Sequence, residues 1–251
     1  MIEIRGLKKR LRKRWVLNGL DLKIHDGESV VVIGQSGSGK SVLLKHIIGL
    51  MQPDEGSVKI DGQEVTGLSG EPLLKLRRRI GFLFQSAALF DSLSVGDNVA
   101  LPIRENRIDT GGRPLEEIVR EKLALVGLTD DVMALKPSSL SGGMRKRVGL
   151  ARVLAMEPKY ILYDEPTTGL DPVMSDAISH LMRKLQREAH VTSVAVTHDM
   201  RSAYFVADRV AMLYDGRIRF SGTPQEIMNS PDPVVKQFVE GFSESGPLST
   251  I

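Results

Sequence analysis

The sequence has no cysteine, which excludes disulfides and cysteine-ligated metal sites. It also lacks any apolar run near the roughly 18–20 residues needed to cross a bilayer. Its longest strongly apolar stretches, such as Val30–Ile33, have the length of buried strands. The first residues, Met1-Ile2-Glu3-Ile4-Arg5, lead into no hydrophobic signal segment, so the chain is expected not to enter a membrane by itself. There is no internal repeat and no low-complexity tract. Net charge is small, +3, but unevenly placed. Lys8, Lys9, Arg10, Arg12, Lys13 and Arg14 form one basic cluster, and Arg77, Arg78 and Arg79 another. Such clusters can bind nucleic acid or anionic headgroups. No RNA-recognition or helix-turn-helix pattern accompanies them. They are therefore read as a solvated hairpin turn and a solvated helix end, and no nucleic-acid partner is expected.

With 251 residues and 41% hydrophobic content, the chain can bury one substantial core. Short apolar and β-branched runs at Ser29–Ile33, Ile80–Phe84, Tyr160–Tyr163 and Thr192–Val196 predict buried parallel strands. Asp61-Gly62 and Asp215-Gly216 suit two-residue hairpins. Pro114–Val126 and Gly142–Met156 carry helical periodicity with no clear strand between them. The expectation is an α/β core over about 1–85 and 159–222, a helical insertion over about 86–158, and short helices with a polar tail over about 223–251.

Gly34-Gln35-Ser36-Gly37-Ser38-Gly39-Lys40-Ser41 matches G-x-x-x-x-G-K-[ST], directly after a predicted strand and before a helical run, Ser41–Leu50. Glycines let backbone N–H groups curl around phosphates, and the helix N-terminus adds a favourable dipole. Lys40 would neutralise phosphate charge, and the Ser41 hydroxyl can ligate Mg²⁺. As pure structure, the same string would be a flexible loop capping a helix. At Tyr160–Glu165 a bulky strand ends in two carboxylates, where α/β sheets place ligands. Asp164 suits Mg²⁺, directly or through a water, and Glu165 is placed to polarise an attacking water. Ser141 is a good N-cap for the helix that opens with Gly142 and Gly143. Those glycines each weaken a helix by about 1 kcal/mol relative to Ala, so close approach by an anion explains them better than helix structure does.

In order, the phosphate loop, Gln85, Leu140–Met144, Asp164-Glu165, Gly169-Leu170-Asp171 and Thr197-His198-Asp199 resemble the ATPase subunits of ABC transporters, over about residues 1–240. The resemblance implies a P-loop NTPase fold: a mainly parallel sheet, an N-terminal antiparallel β-subdomain and the inserted α-helical subdomain. It implies an ATPase using ATP and Mg²⁺, working as a pair of identical subunits with a membrane permease dimer. ATP would be held by Trp15, stacking on adenine, and by Gly34 through Ser41 with the adjoining Val42. Gln85 would touch Mg²⁺ or the attacking water, and His198 the γ-phosphate. Ser141, Gly142 and Gly143 would meet the partner's nucleotide, and Asp171 would join the two sites. Met144 stands where glutamine is most common, which leaves those contacts intact. Taken singly, Trp15, Gln85 and His198 would as readily be packing or polar residues; the order of motifs gives them their reading.

Phe84–Phe90, Asp97–Ala100, Leu101–Glu105, Pro137–Met144, and Pro231–Pro233 with Gln237-Phe238 further resemble the Mla-type phospholipid-transport ATPases. That resemblance implies phospholipid movement between membranes, an MCE-type lipid-binding protein and a STAS-domain protein as partners, and a place on the cytoplasmic face of the inner membrane. Leu89, Phe90, Leu93 and Val95 are expected to line a groove for a permease helix. The alternatives are an amino-acid or ion importer, a soluble ABC ATPase of iron–sulfur assembly, and a nucleotide-binding scaffold without hydrolysis. Glu165 and His198 speak against the last.

Overall fold

Two long strands, β1 (Ile2–Leu11) and β2 (Arg14–Ile24), begin the chain and bury Ile2, Ile4 and Leu7 against Leu17, Leu20 and Ile24. The computed structural model describes residues 1–240; the polar end of the tail lies outside them. The first basic cluster forms the tip of this hairpin, as expected: Lys8 and Lys9 pair with Glu55 and Asp54, and Arg10 through Arg14 are exposed. Strand β3 (Ser29–Ile33) is wholly buried and leads into α1 (Lys40–Ile47). The helix stops short of the expected Leu50 because Gly49 turns left-handed (φ 67°), with the Leu50 and Met51 amides both donating to the Lys45 carbonyl. Strands β4 (Glu55–Ile60) and β5 (Gln63–Glu64) meet at the Asp61-Gly62 turn. Helix α2 (Gly70–Arg77) then leads to β6 (Ile80–Leu83). At the second basic cluster Arg78 and Arg79 are exposed, as expected of a solvated helix end, and Arg77 is half-buried. Arg77 donates to the Ile48 and Gly49 carbonyls, Arg78 to Asn106, and Arg79 pairs with Asp61.

Three helices follow: α3 (Val95–Asn106), α4 (Leu115–Leu125) and α5 (Gly142–Leu154). Periodicity predicted the last two. Helix α3 carries Pro102 inside it, which obscured its pattern, yet it buries Val95, Val99, Ala100 and Ile103. Val95 therefore belongs to the core and not to a groove. The chain continues through β7 (Tyr160–Asp164), α6 (Pro172–Ala189), β8 (Thr192–Thr197), α7 (Met200–Val206), β9 (Arg209–Tyr214) and β10 (Arg217–Gly222). Two short helices, α8 (Pro224–Met228) and α9 (Pro233–Glu240), close the described residues.

The strands form two sheets, one antiparallel in the order β2-β1-β4-β5 and one in the order β10-β9-β3-β8-β7-β6. In the second, β9, β3, β8, β7 and β6 run parallel and only β10 is antiparallel. Both faces are covered, which is why these strands read as continuous apolar runs. Val31 and Ile33 pack with the α3–α5 side, and Val30 and Val32 pack with the antiparallel sheet and α1. Register aligns Ile33 with Thr197, Val196 with Asp164, and Tyr163 with Leu83. The loops leaving these strands at Gly34, His198, Glu165 and Gln85 therefore emerge along one edge, the carboxyl edge of the sheet.

Candidate active site

At that edge a cavity of about 340 Å³ is lined by Ser36, Gly37, Gly39, Lys40, Ser41, Val42, Gln85, Glu165 and His198, with Leu11 and Val16 at its rim. Residues from four separate segments of the chain thus meet in one place. The phosphate loop is shaped by its glycines. Gly39 has φ 107°, and a Cβ there would stand 2.8 Å from the Val16 side chain; at Gly34 it would stand 2.5 Å from the Leu213 carbonyl oxygen. Ser38 Oγ is buried with no hydrogen-bond partner, which fits a loop that accepts phosphate oxygens.

Lys40 is 6% exposed and donates to the Gly34 and Gln35 carbonyls at 2.8 and 3.1 Å. Its ammonium lies 3.8 Å from Glu165. Burial lowers its pKa, and the charges of Glu165 and Asp164 oppose that shift. Ser41 Oγ donates to Asp164 Oδ1 at 2.7 Å. A hydroxyl beside a buried carboxylate is a hard-oxygen pair suited to Mg²⁺, which keeps waters and phosphate oxygens for its other positions. Glu165 accepts from Thr168 Oγ1 at 3.0 Å and lies 3.0 Å from His198 Nδ1. These residues can bind a polyphosphate, hold its metal and aim a carboxylate at a water.

Trp15 does not line this cavity. It is 39% exposed and lines the adjoining one, of about 430 Å³, with Gln35, Ser36, Gly37 and Ser38. Arg10 lies over its ring, 5.7 Å from the centroid. Ser141, Gly142, Gly143 and Asp171 also lie outside the cavity, at helix starts. Ser141 accepts from the Met144 amide at 3.2 Å as the N-cap of α5, and Asp171 caps α6. A Cβ at Gly143 would lie 2.2 Å from the Met174 methyl, the end of a flexible side chain that can turn aside, so packing within the chain does not require this glycine.

Sequence reasoning missed two buried polar residues. Asn98, fully buried, accepts from the Phe90 amide and donates to the Phe90 and Ser94 carbonyls, pinning the loop after Gln85 onto α3. Lys146, 5% exposed, donates to the Gln85 and Glu165 carbonyls. Asn98 stands in the Asp97–Ala100 stretch that carries the Mla-type resemblance, and Lys146 in no motif; neither contact was foreseen, because both residues act on main-chain groups that any residue supplies.

The ABC transporter family model matches residues 17–168. The chain is 39% identical over 248 residues to the intermembrane phospholipid transport system ATP-binding protein MlaF of Haemophilus influenzae, covering 99% of this chain and 93% of the relative. It is 41% identical over 247 residues to the Mycobacterium bovis protein named "Probable ribonucleotide transport ATP-binding protein mkl", covering 98% and 68%. Among solved structures, the dimeric post-hydrolysis structure of the ATP-binding cassette MJ0796 with ADP and Pi superposes with a TM-score of 0.82 at 36% identity, over 89% of this chain and 99% of that one. No helix among the described residues is long and apolar enough to cross a membrane. The chain belongs to the ABC transporter family as an ATP-binding subunit that uses ATP with Mg²⁺, hydrolyses it, and works as a dimer with a membrane permease.

Proposed function

We propose that this ATPase drives phospholipid transport between membranes, with the cavity around Lys40 and Glu165 as its hydrolytic site. The observation that carries the hydrolytic reading is the meeting of Lys40, Ser41, Gln85, Glu165 and His198 in one cavity. Backbone N–H groups from Gly34 to Ser41, with Lys40 and Val42, cradle the phosphates, and Trp15 stacks on adenine. Ser41 and Asp164 would hold Mg²⁺, with Gln85 touching the ion or the attacking water, and the ion would neutralise charge on the phosphates. Glu165 takes the proton from the attacking water, and His198 contacts the γ-phosphate. Ser141, Gly142 and Gly143 of each subunit meet the other's ATP, and Asp171 couples the two sites.

The phospholipid cargo rests on likeness to the Haemophilus protein over nearly both whole chains. An MCE-type lipid-binding protein and a STAS-domain protein as further partners, and a place at the cytoplasmic face of the inner membrane, rest on the Mla-type resemblance of the sequence stretches given above. The permease helix would dock in an apolar groove of about 440 Å³ lined by Phe82, Phe84, Ala88, Phe90, Leu101 and Pro102. Phe90 is 52% exposed there, whereas Leu89 packs against the core and neither Leu93 nor Val95 lines the groove. Exposed apolar surface of this kind marks a partner site.

Affinity purification from native membranes tests both parts. The wild-type chain is expected to bring down a permease and phospholipid, and the complex to move phospholipid between proteoliposomes. Phe90→Asp is expected to bind ATP normally but lose the permease. A native complex that moves an amino acid or ion and no phospholipid overturns the cargo; normal assembly of Phe90→Asp overturns the groove.

A further inference from the structure

Lys146 joins two loops that come from different strands. Gln85 follows β6 and Glu165 follows β7, and those strands lie side by side in parallel. The Lys146 ammonium donates to the main-chain carbonyls of both, reaching Glu165 at 3.2 Å from a third element, α5. No carboxylate among the described residues pairs directly with it. Burial lowers its pKa, while Asp164 and Glu165 hold the charge on it from nearby.

The same helix clamps the next stretch of the loop. Arg152 donates to the Ala87 and Ala88 carbonyls, each at 2.7 Å. Gly149 makes room for Ala87, since a Cβ on it would lie 3.0 Å from the Ala87 Cβ. Ala87 and Ala88 both have left-handed backbone, at φ 60° and 47°, and Glu165 is at φ 49°. Residues with a Cβ adopt that region at a cost, so their conformation is held by what surrounds them. Much of what holds it is α5.

We propose that Lys146 is a positioning residue for hydrolysis. By fixing the Gln85 and Glu165 backbones together, it aims both side chains at the same water. It also makes their geometry follow α5, whose first residues, Ser141–Gly143, are the part read as touching the partner's nucleotide. Docking of α5 on one ATP is thereby felt at the other. The proposal rests on the roles given above to Gln85 and Glu165. It gives a buried lysine a task that needs its charge, its length and two acceptors at once.

The test uses the full chain in its permease complex, with Lys146→Met and Lys146→Arg beside Glu165→Gln. Lys146→Met keeps the apolar stem and removes the donors. Its kcat is expected to fall by about 10–100-fold, the scale of a small misplacement of reacting groups. Its KM, its equilibrium binding of ATP and its unfolding temperature are expected to stay near wild type, because the phosphate loop is untouched. Lys146→Arg, which keeps the charge and several N–H donors, is expected to recover most of the rate. A folded Lys146→Met with wild-type kcat overturns the proposal. So does equal loss of ATP binding and unfolding temperature in both variants, which marks a residue of the fold alone. Should Lys146→Met not fold, Lys146→Gln decides, as an amide too short to bridge both carbonyls. A reduced kcat with unchanged ATP binding supports the proposal, and a wild-type kcat overturns it. Glu165→Gln separates the two layers: if it too hydrolyses normally, the reading of the site has failed, and if it is inactive while Lys146→Met is normal, only the role of Lys146 has.

Discussion

Glu165 follows the last residue of β7 in left-handed backbone, a conformation that costs an ordinary residue about 1–2 kcal/mol. Its amide donates to the Val196 carbonyl, its own carbonyl accepts from Lys146, and its carboxylate is held between Thr168 and His198. That many restraints on one side chain fix the direction in which it can accept a proton. Glu165→Gln retains the length and one oxygen, so the loop and the phosphate cradle are expected to survive. Hydrolysis is expected to fall by about 10²–10⁴-fold, the scale of a lost general base. ATP should still bind, and the ATP-bound dimer should accumulate in light scattering. A variant that hydrolyses ATP at the wild-type rate places the base elsewhere.

The elements that carry the site were largely legible. Four buried strands announced themselves as apolar runs, and the Gly and Lys pattern at 34–41 named the loop between β3 and α1. What stayed hidden depended on contacts distant in sequence. Val95 looked like surface until α3 was seen to bury it, and Lys146 has no local pattern at all. The Asp61-Gly62 turn illustrates the same limit. It read as a hairpin, but Asp61 also ties that hairpin to the main sheet, taking bonds from Lys159 and the Tyr160 hydroxyl and pairing with Arg79 and the Met1 amino group. Burial opposes ionisation, but the bonds from the Met1 amino group, Tyr160 and Lys159 outweigh it and hold the Asp61 carboxyl well below the usual carboxylate range. A depressed folded-state pKa contributes stability that is complete above the unfolded value, about 3.9, and is lost as pH falls below it. Asp61→Asn keeps the left-handed turn, which Asn tolerates. It is expected to lower stability at pH 7 by about 1 kcal/mol, or roughly 2–4 °C in Tm. The gap should close as the pH drops below about 4. Melting curves of both proteins across pH check this, and a gap independent of pH refutes the linkage.

The whole molecule divides its chemistry between the cavity and a helix start outside it. The cavity gathers Lys40, Gln85, Glu165 and His198, while Ser141 caps a helix outside it and is exposed. If each ATP needs the cavity of one subunit and Ser141 of the other, defects should complement across the dimer. Ser141→Arg loses the N-cap, a cost of about 1 kcal/mol that leaves the subunit folded. It should still bind ATP as a monomer but fail to close, because a long cation replaces a small hydroxyl at the interface. Lys40→Ala should fail at binding. Each variant alone is expected to be inactive. In a mixed dimer of the two, one composite site carries both defects and the other neither. If sites fire independently, an equal mixture should recover about a quarter of the wild-type rate, from statistical pairing of symmetric subunits. The reciprocal mixture sharpens the test. A chain carrying both substitutions, paired with wild type, leaves one defect in each composite site, so those dimers should be dead. A site contained within one subunit predicts the reverse: no recovery in the first mixture, and retention of the wild-type subunit's activity in the second. ATP hydrolysis by tagged, purified mixed dimers separates the two arrangements, since the two mixtures change in opposite directions under each.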